Sequence, residues 1–363
     1  FHYKDKEDMF DLVSYQKGGR ILNMLRNFLG DDAFYAGLNA YLTRHKFGTA
    51  EAHQLRLALE EVSGRDLNWF FNQWYFGSGH PKLTIDYSYN DSTKTATVHV
   101  KQTQTEAPFI LPVAIDIYQG KEKQRHQVWV DQKDQTFAFT VAGRPDLVNF
   151  DGDKILLCEK VENGKSLNNF IHQYNVAGSY LDRREAIAAC AALQDSVAAV
   201  DLLKNALRDR YYELRILALH SADFKKETVK QALEANVFII AKGDPEPKVR
   251  AEALIALSLY DKQIYKDLIL RSVNDSSYSV AGAALVSLNQ LDKTQGYTAA
   301  KTLSSGRTKD KLAEAISNVF AENSKAEDLD YVLNWYNGLP FGQSKVDNAN
   351  TVAYYAIQLQ NTD

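Results

Sequence analysis

Residues 14–29 read Ser-Tyr-Gln-Lys-Gly-Gly-Arg-Ile-Leu-Asn-Met-Leu-Arg-Asn-Phe-Leu, and the reading of this stretch decides the fold. Ile21, Met24, Leu25, Phe28 and Leu29 recur at helical spacing, which predicts a helix with that face in a core. Tyr15 stands at the start of this helix, just ahead of Gln16, Lys17 and Gly18. Gly30 ends the helix, and Asp31 and Asp32 are placed to cap the next one.

Working outward, three zones with different periods follow. Residues 1–80 read as helices. Phe34, Leu38, Tyr41 and Leu42 mark the second, and Thr49 is the expected N-cap of a third that carries Leu55, Leu59 and Val62 and closes at Ser63-Gly64. The aromatic run at 69–76 reads as core and stops at Gly77-Ser-Gly-His-Pro81, a boundary signal. Between 82 and 160 the period changes to two. Leu83, Ile85, Tyr87 and Tyr89 alternate with polar residues, and Asn90-Asp91-Ser92 turns the chain toward Ala96, Val98 and Val100. Further runs at Phe109–Ile117, Gln127–Val130, Thr136–Val141 and Lys154–Cys158 complete the pattern expected of a small antiparallel sandwich.

From about residue 165 the chain reads as helical and repetitive. Arg183-Arg-Glu-Ala-Ile, Arg215-Ile-Leu-Ala-Leu, Arg250-Ala-Glu-Ala-Leu and Ala281-Gly-Ala-Ala-Leu superpose, their first positions 32, 35 and 31 residues apart. Asp209, Asp244 and Asp275 precede the last three copies by six residues, where a capping role is expected. Helix pairs at this period predict a HEAT-like stack.

The counts narrow the function. At 363 residues, 45% hydrophobic and 11% aromatic, the chain can fill two or three packed domains. A net charge of −4 gives no reason to expect nucleic acid or an anionic membrane as partner, and no apolar run approaches the ~20 residues of a spanning helix. Cys158 and Cys190 lie in apolar surroundings and read as buried free thiols. No compartment is legible. The chain opens at Phe1 without an initiator methionine or a signal peptide, and both ends read as cut from a longer polypeptide.

The motif Tyr15-x-Lys17-Gly18-x-x-Ile21-Leu22-x-Met24-Leu25-Arg26 resembles the tyrosine helix of the aminopeptidase N family, the gluzincin zinc metallopeptidases. Leu29-Gly-Asp-Asp-Ala-Phe34, Leu59-Glu-Glu-Val-Ser-Gly-Arg-Asp-Leu67, Trp69–Trp74 and Gly79-His-Pro81 extend the resemblance over residues 12–83. It implies a mainly helical multidomain fold. The expected parts are the end of a thermolysin-like catalytic domain at 1–80, a β-sandwich at 81–161 and a HEAT-like α-α superhelix at 162–363. It also implies peptide substrates, and a catalytic hydroxyl on Tyr15 that donates to the oxyanion of the tetrahedral intermediate. A phenol suits that task because, with an ordinary pKa near ~10, it stays protonated. From the residue alone, a packed ring with a satisfied hydroxyl is the simpler reading. Gly18 reads as room for close helix packing and Lys17 as a surface ion-pair partner.

Two family motifs have no counterpart here: the zinc-binding H-E-x-x-H and the Gly-x-Met-Glu-Asn loop that reads the substrate amine. In the family both precede the tyrosine helix. No two of the eight histidines (2, 45, 53, 80, 99, 126, 172 and 220) are three to five residues apart, so none pairs locally as a zinc ligand and each reads as structural or solvent-facing. The expectation is therefore the C-terminal portion of a zinc aminopeptidase. Zinc belongs to the intact parent, none is bound by this chain, and the upstream part of the same polypeptide is a required partner. Alone, the portion is expected to be inactive. The alternative is a non-catalytic scaffold of the same fold that binds proteins through its helical array.

Overall fold

The computed structural model describes Asp5 and residues 10–260 and 262–360. Packing divides the chain into two compact units, one up to Ala186 and one from Ile187 onward.

In the first unit, α1 (Gly18–Leu29) buries Ile21, Met24 and Leu25, the stripe its sequence predicts. Gly30, at φ +85°, ends α1 and opens α2 (Asp31–Arg44), whose acidic first turn faces the positive end of the helix dipole. Arg26 holds Asp31 with two hydrogen bonds of 2.8 Å. α3 (Ala52–Ser63) packs on α2 at Gly37, where a Cβ would lie 2.5 Å from a Leu59 methyl carbon, so only glycine permits the approach. Its N-cap is Glu51, in a reciprocal box with Gln54, and not Thr49: the Gln54 side chain accepts from the Glu51 N–H, which fixes the helix start two residues later. α4 (Asn68–Trp74) buries Phe70, Phe71 and Trp74, while Phe76 stays exposed.

The next stretch folds into two sheets. In the first, β1 (Lys82–Asn90) lies between β2 (Thr95–Gln102) and β7 (Glu159–Asn163), with β5 (Asp134–Thr140) outside β2. In the second, β3 (Leu111–Gln119) lies between β4 (Glu122–Val130) and β6 (Leu147–Phe150). Ile85 and Val98 from one sheet and Val113 and Ile115 from the other share a single apolar cluster with Met24, Leu25, Phe71 and Trp74 of the helices. The Gln73 carboxamide fastens α4 to this layer, accepting from Ile110 N at 2.7 Å and donating to Ile110 O at 3.1 Å.

Two strand expectations fail. The sheets are not wholly antiparallel, because β7 runs parallel to β1. Its sequence, Glu-Lys-Val-Glu-Asn, belongs to a mostly exposed edge strand and carries no apolar alternation that could announce it. Nor is Lys154–Cys158 a strand. The Asp151 carboxylate accepts from Ile155 N and Leu156 N, spending on a turn the groups a ladder would use. Lys154 itself adopts φ +56°.

Where β6 and β7 meet the start of α6 (Tyr180–Ala191), a group of charges is buried. The Lys154 ammonium donates to Asn149 Oδ1 at 2.8 Å and lies 3.2 Å from Glu185 and 3.6 Å from Asp182. Lys160 pairs with Glu162 and Glu185, and Lys165 pairs with Glu162 at 2.5 Å. The Tyr87 hydroxyl donates to Glu162 at 2.7 Å. Every one of these charges has an opposite partner, the condition under which burial is tolerated.

The second unit is helical. Leading helices α8 (Tyr212–Ser221), α10 (Pro247–Leu257), α12 (Tyr278–Leu291) and α14 (Asp310–Asn323) pack in series, and α9 (Glu227–Gly243), α11 (Gln263–Ser272) and α13 (Lys293–Ser304) alternate with them. The aspartates do not cap these helices as expected. Each accepts from the residue two positions on, Tyr211, Glu246 or Ser277, the N-cap residue whose own N–H lies outside the helix. The repeat arginines complete a ladder. Arg215 donates to Asp209 O at 2.8 Å and to the Asp244 carboxylate at 2.7 Å. Arg250 donates to Asp244 O at 2.9 Å and lies 3.6 Å from Asp275. Each guanidinium thus closes its own turn and grips the next repeat. No described helix is long and apolar enough to cross a membrane.

Candidate active site

Ahead of α1, residues Val13–Lys17 form a single π-helical turn, one residue wider than an α-turn. Asp11 fixes its start: the carboxylate accepts from Ser14 N at 2.6 Å and the carbonyl from Tyr15 N at 3.2 Å. The Ser14 N–H, first among the causes, holds the Asp11 carboxyl below its ordinary pKa. Single π-turns recur at functional sites because the extra residue re-aims a side chain. Here that residue group carries Tyr15. Its side chain is 59% exposed, its ring stacks on Phe10 at 5.9 Å, and its hydroxyl has no hydrogen-bond partner among the described residues. It is not the packed tyrosine with a satisfied hydroxyl that the residue alone would suggest.

Two polar anchors hold the turn against the sheet layer. Lys17 does not form a surface ion pair. Its ammonium donates to Gly79 O at 3.0 Å, within the Gly77–Pro81 connection. Gly79 adopts φ +82°, and a Cβ there would sit 2.9 Å from the Glu106 carboxylate, so this connection requires glycine. One turn along, Arg20 donates to Lys154 O. Arg20 was not singled out in the sequence; only its place one turn after Lys17 could have marked it. Gly18 lacks the packing reason expected of it. A Cβ there would meet only Val13 O, at 3.8 Å, so close packing does not demand it.

The histidines disperse. His80, His99 and His220 each face a carboxylate, at 2.6, 2.7 and 2.8 Å. His53 and His126 stack on Phe76 and Phe139. His2 lies outside the described residues. Among the described residues, no three His, Cys, Asp or Glu side chains gather as a metal could use them. Both cysteines are free: Cys190 is buried and Cys158 half-buried, and burial pushes their thiols up to about 11 and about 12.

The helices that carry Tyr15 are similar to a known peptidase domain. Residues 2–74 match the peptidase family M1 domain. Aminopeptidase N of Escherichia coli (strain K12) is 32% identical over 172 residues, covering 43% of this chain and 19% of that protein. Aminopeptidase N of Lactococcus lactis subsp. cremoris (strain MG1363) is 28% identical over 201 residues, or 54% of this chain and 20% of the relative. The chain thus spans about a fifth of the length of these curated relatives. Among solved structures, an aminopeptidase A of Legionella pneumophila in complex with aspartic acid superposes with a TM-score of 0.70, over 98% of this chain and 48% of that one. At 15% identity this likeness speaks to the fold alone.

Proposed function

We propose that this chain is the C-terminal portion of a zinc aminopeptidase, in which Tyr15 supplies a catalytic hydroxyl. The observation that carries this reading is the unpartnered, exposed Tyr15 hydroxyl on a π-turn inside the matched region. When a scissile carbonyl is attacked, its oxygen becomes an anion, and the Tyr15 O–H donates a hydrogen bond to it. Lys17 and Arg20 hold the turn in place through the Gly79 and Lys154 carbonyls.

The described residues do not fit a catalytic zinc, since no donor set converges, and no step is derived through the metal. In this reading the metal and the residue that activates water belong to polypeptide outside the chain. The portion divides as a catalytic-domain remnant at 1–80, a β-sandwich at 81–161 and a HEAT-like array at 162–363.

The test uses the longest polypeptide that carries this chain. Release of N-terminal residues from chromogenic aminoacyl substrates is compared between wild type and Tyr15→Phe, with zinc content measured in both. A fall in kcat of ~10²-fold or more with zinc retained is expected. An active protein indifferent to the change removes Tyr15 from the mechanism. A folded protein with neither zinc nor activity turns the reading toward the scaffold. The 363-residue chain alone is expected to show no turnover.

A further inference from the structure

Between α1, α4 and the second sheet lies a cavity of about 380 Å³, within the size range of small-molecule sites. Tyr15 is not among its walls. Met24, Phe70, Trp74, Leu111 and Leu156, all buried, form the apolar part of its lining. Phe28 and Trp129 complete an aromatic side. Their rings meet edge to face at 5.9 Å, and Trp129 is left 46% exposed, a large apolar surface beside an apolar void.

The charged groups at this cavity are unequally committed. Asp153 is held by two guanidinium nitrogens of Arg125, both at 2.7 Å. The Asp151 carboxylate is taken by Ile155 N and Leu156 N. Arg65 differs. It is fixed in place, with its guanidinium over the Phe28 ring at 4.9 Å and one N–H on Phe28 O at 2.8 Å. Yet it has no carboxylate partner among the described residues, and its other N–H groups are free. The unused charge of the cavity is positive. It sits on the side chain best shaped to grip a carboxylate with two parallel bonds.

We propose that this cavity binds a small carboxylate carrying an apolar or aromatic body. The body lies among Met24, Phe70, Trp74 and Leu156, and the carboxylate is bound by Arg65. A free apolar amino acid and a simple aryl or alkyl carboxylic acid share this chemistry.

The test follows tryptophan fluorescence of the 363-residue chain during titration with 3-phenylpropanoate, L-phenylalanine and phenethylamine. Saturable binding of 3-phenylpropanoate is expected, at about 1 mM or tighter, with none of the amine. L-Phenylalanine binding as well as 3-phenylpropanoate identifies amino acids as the natural source; weaker binding identifies simple carboxylates. Arg65→Gln is expected to weaken the carboxylate at least ~10-fold, and Arg65→Lys less. Equal binding of amine and carboxylate, no saturation by either carboxylate, or indifference to Arg65→Gln overturns the proposal. If the Arg65 variants fail to fold, the comparison of amine with carboxylate on the unaltered chain still decides.

Discussion

Tyr15 and Tyr87 occupy opposite kinds of place in the same compact unit. Tyr87 lies in the ionic junction: its hydroxyl donates to Glu162 and accepts from Phe150 N at 3.3 Å. Burial first, then the Glu162 charge, pushes its phenol well above the ordinary value. Tyr15 projects from a π-turn with its hydroxyl unspent. The difference teaches where to look for chemistry. In the junction every polar group answers to another, so the residues serve the fold. At the turn a donor is left over, although its backbone is firmly anchored.

This contrast can be broken most severely at the junction. Glu162→Ala leaves Lys160 and Lys165 without their shared carboxylate, and a loss of about 3–5 kcal/mol is expected in urea unfolding. The same residue sets a pH dependence. Burial works to raise the Glu162 pKa, but Lys165 and Lys160 outweigh it and hold the carboxyl well below its usual range. Its stabilisation is therefore present above the unfolded carboxylate value of about 4.3 and is lost as pH falls through the folded value. Unfolding free energy should decline in acid more steeply for wild type than for Glu162→Gln.

Next in size is Tyr15→Phe, worth about 2.7–4 kcal/mol of transition-state stabilisation if the proposed role holds. Its melting temperature should not move, because the hydroxyl bonds to nothing in the described structure. A fall in stability with unchanged activity would place Tyr15 alongside Tyr87.

Arg215→Met removes a buried rung and takes one donor each from Asp209 O and the Asp244 carboxylate, so a loss of about 2 kcal/mol is expected. Tyr87→Phe should cost about 1 kcal/mol, enough to separate a structural hydroxyl from the free one on Tyr15. The smallest effect belongs to His99. Its hydrogen bond to Asp134 is the main cause that raises its pKa. That contribution is complete below the unfolded value of about 6.5 and disappears as pH rises through the folded one. His99→Gln should therefore lower the melting temperature slightly at pH 5.5 and leave it unchanged at pH 9.

Much of this was legible in the sequence where one period ran long enough. The α1 stripe, the β1–β2 alternation and the helices that carry Arg183, Arg215 and Arg250 all occupy the elements their spacing predicts, although the repeat aspartates do not cap them. What escaped was set by single residues acting at a distance. One extra residue makes the π-turn that aims Tyr15, and periodicity cannot detect a shift of one. Asp151 dissolves an expected strand by claiming two of its N–H groups. The edge strand β7 is charged and short, and pairs with β1 from far along the chain. Tyr15 could be named because its neighbours form a motif; that its hydroxyl is free could only be seen in three dimensions.

The Arg–Asp ladder is also a rule of inheritance. Each rung takes its guanidinium from one repeat and its carboxylate from the next. Deleting one whole copy between Arg215 and Asp275 lets a rung re-form, since Arg215 and Arg250 hold equivalent positions, as do Asp244 and Asp275; Ala281 replaces the arginine in the next copy and ends the ladder. A deletion that cuts through a copy strands a guanidinium or a carboxylate away from water. The ladder sits at the bond between modules and not inside one, and so it selects the period at which this array can grow or shrink.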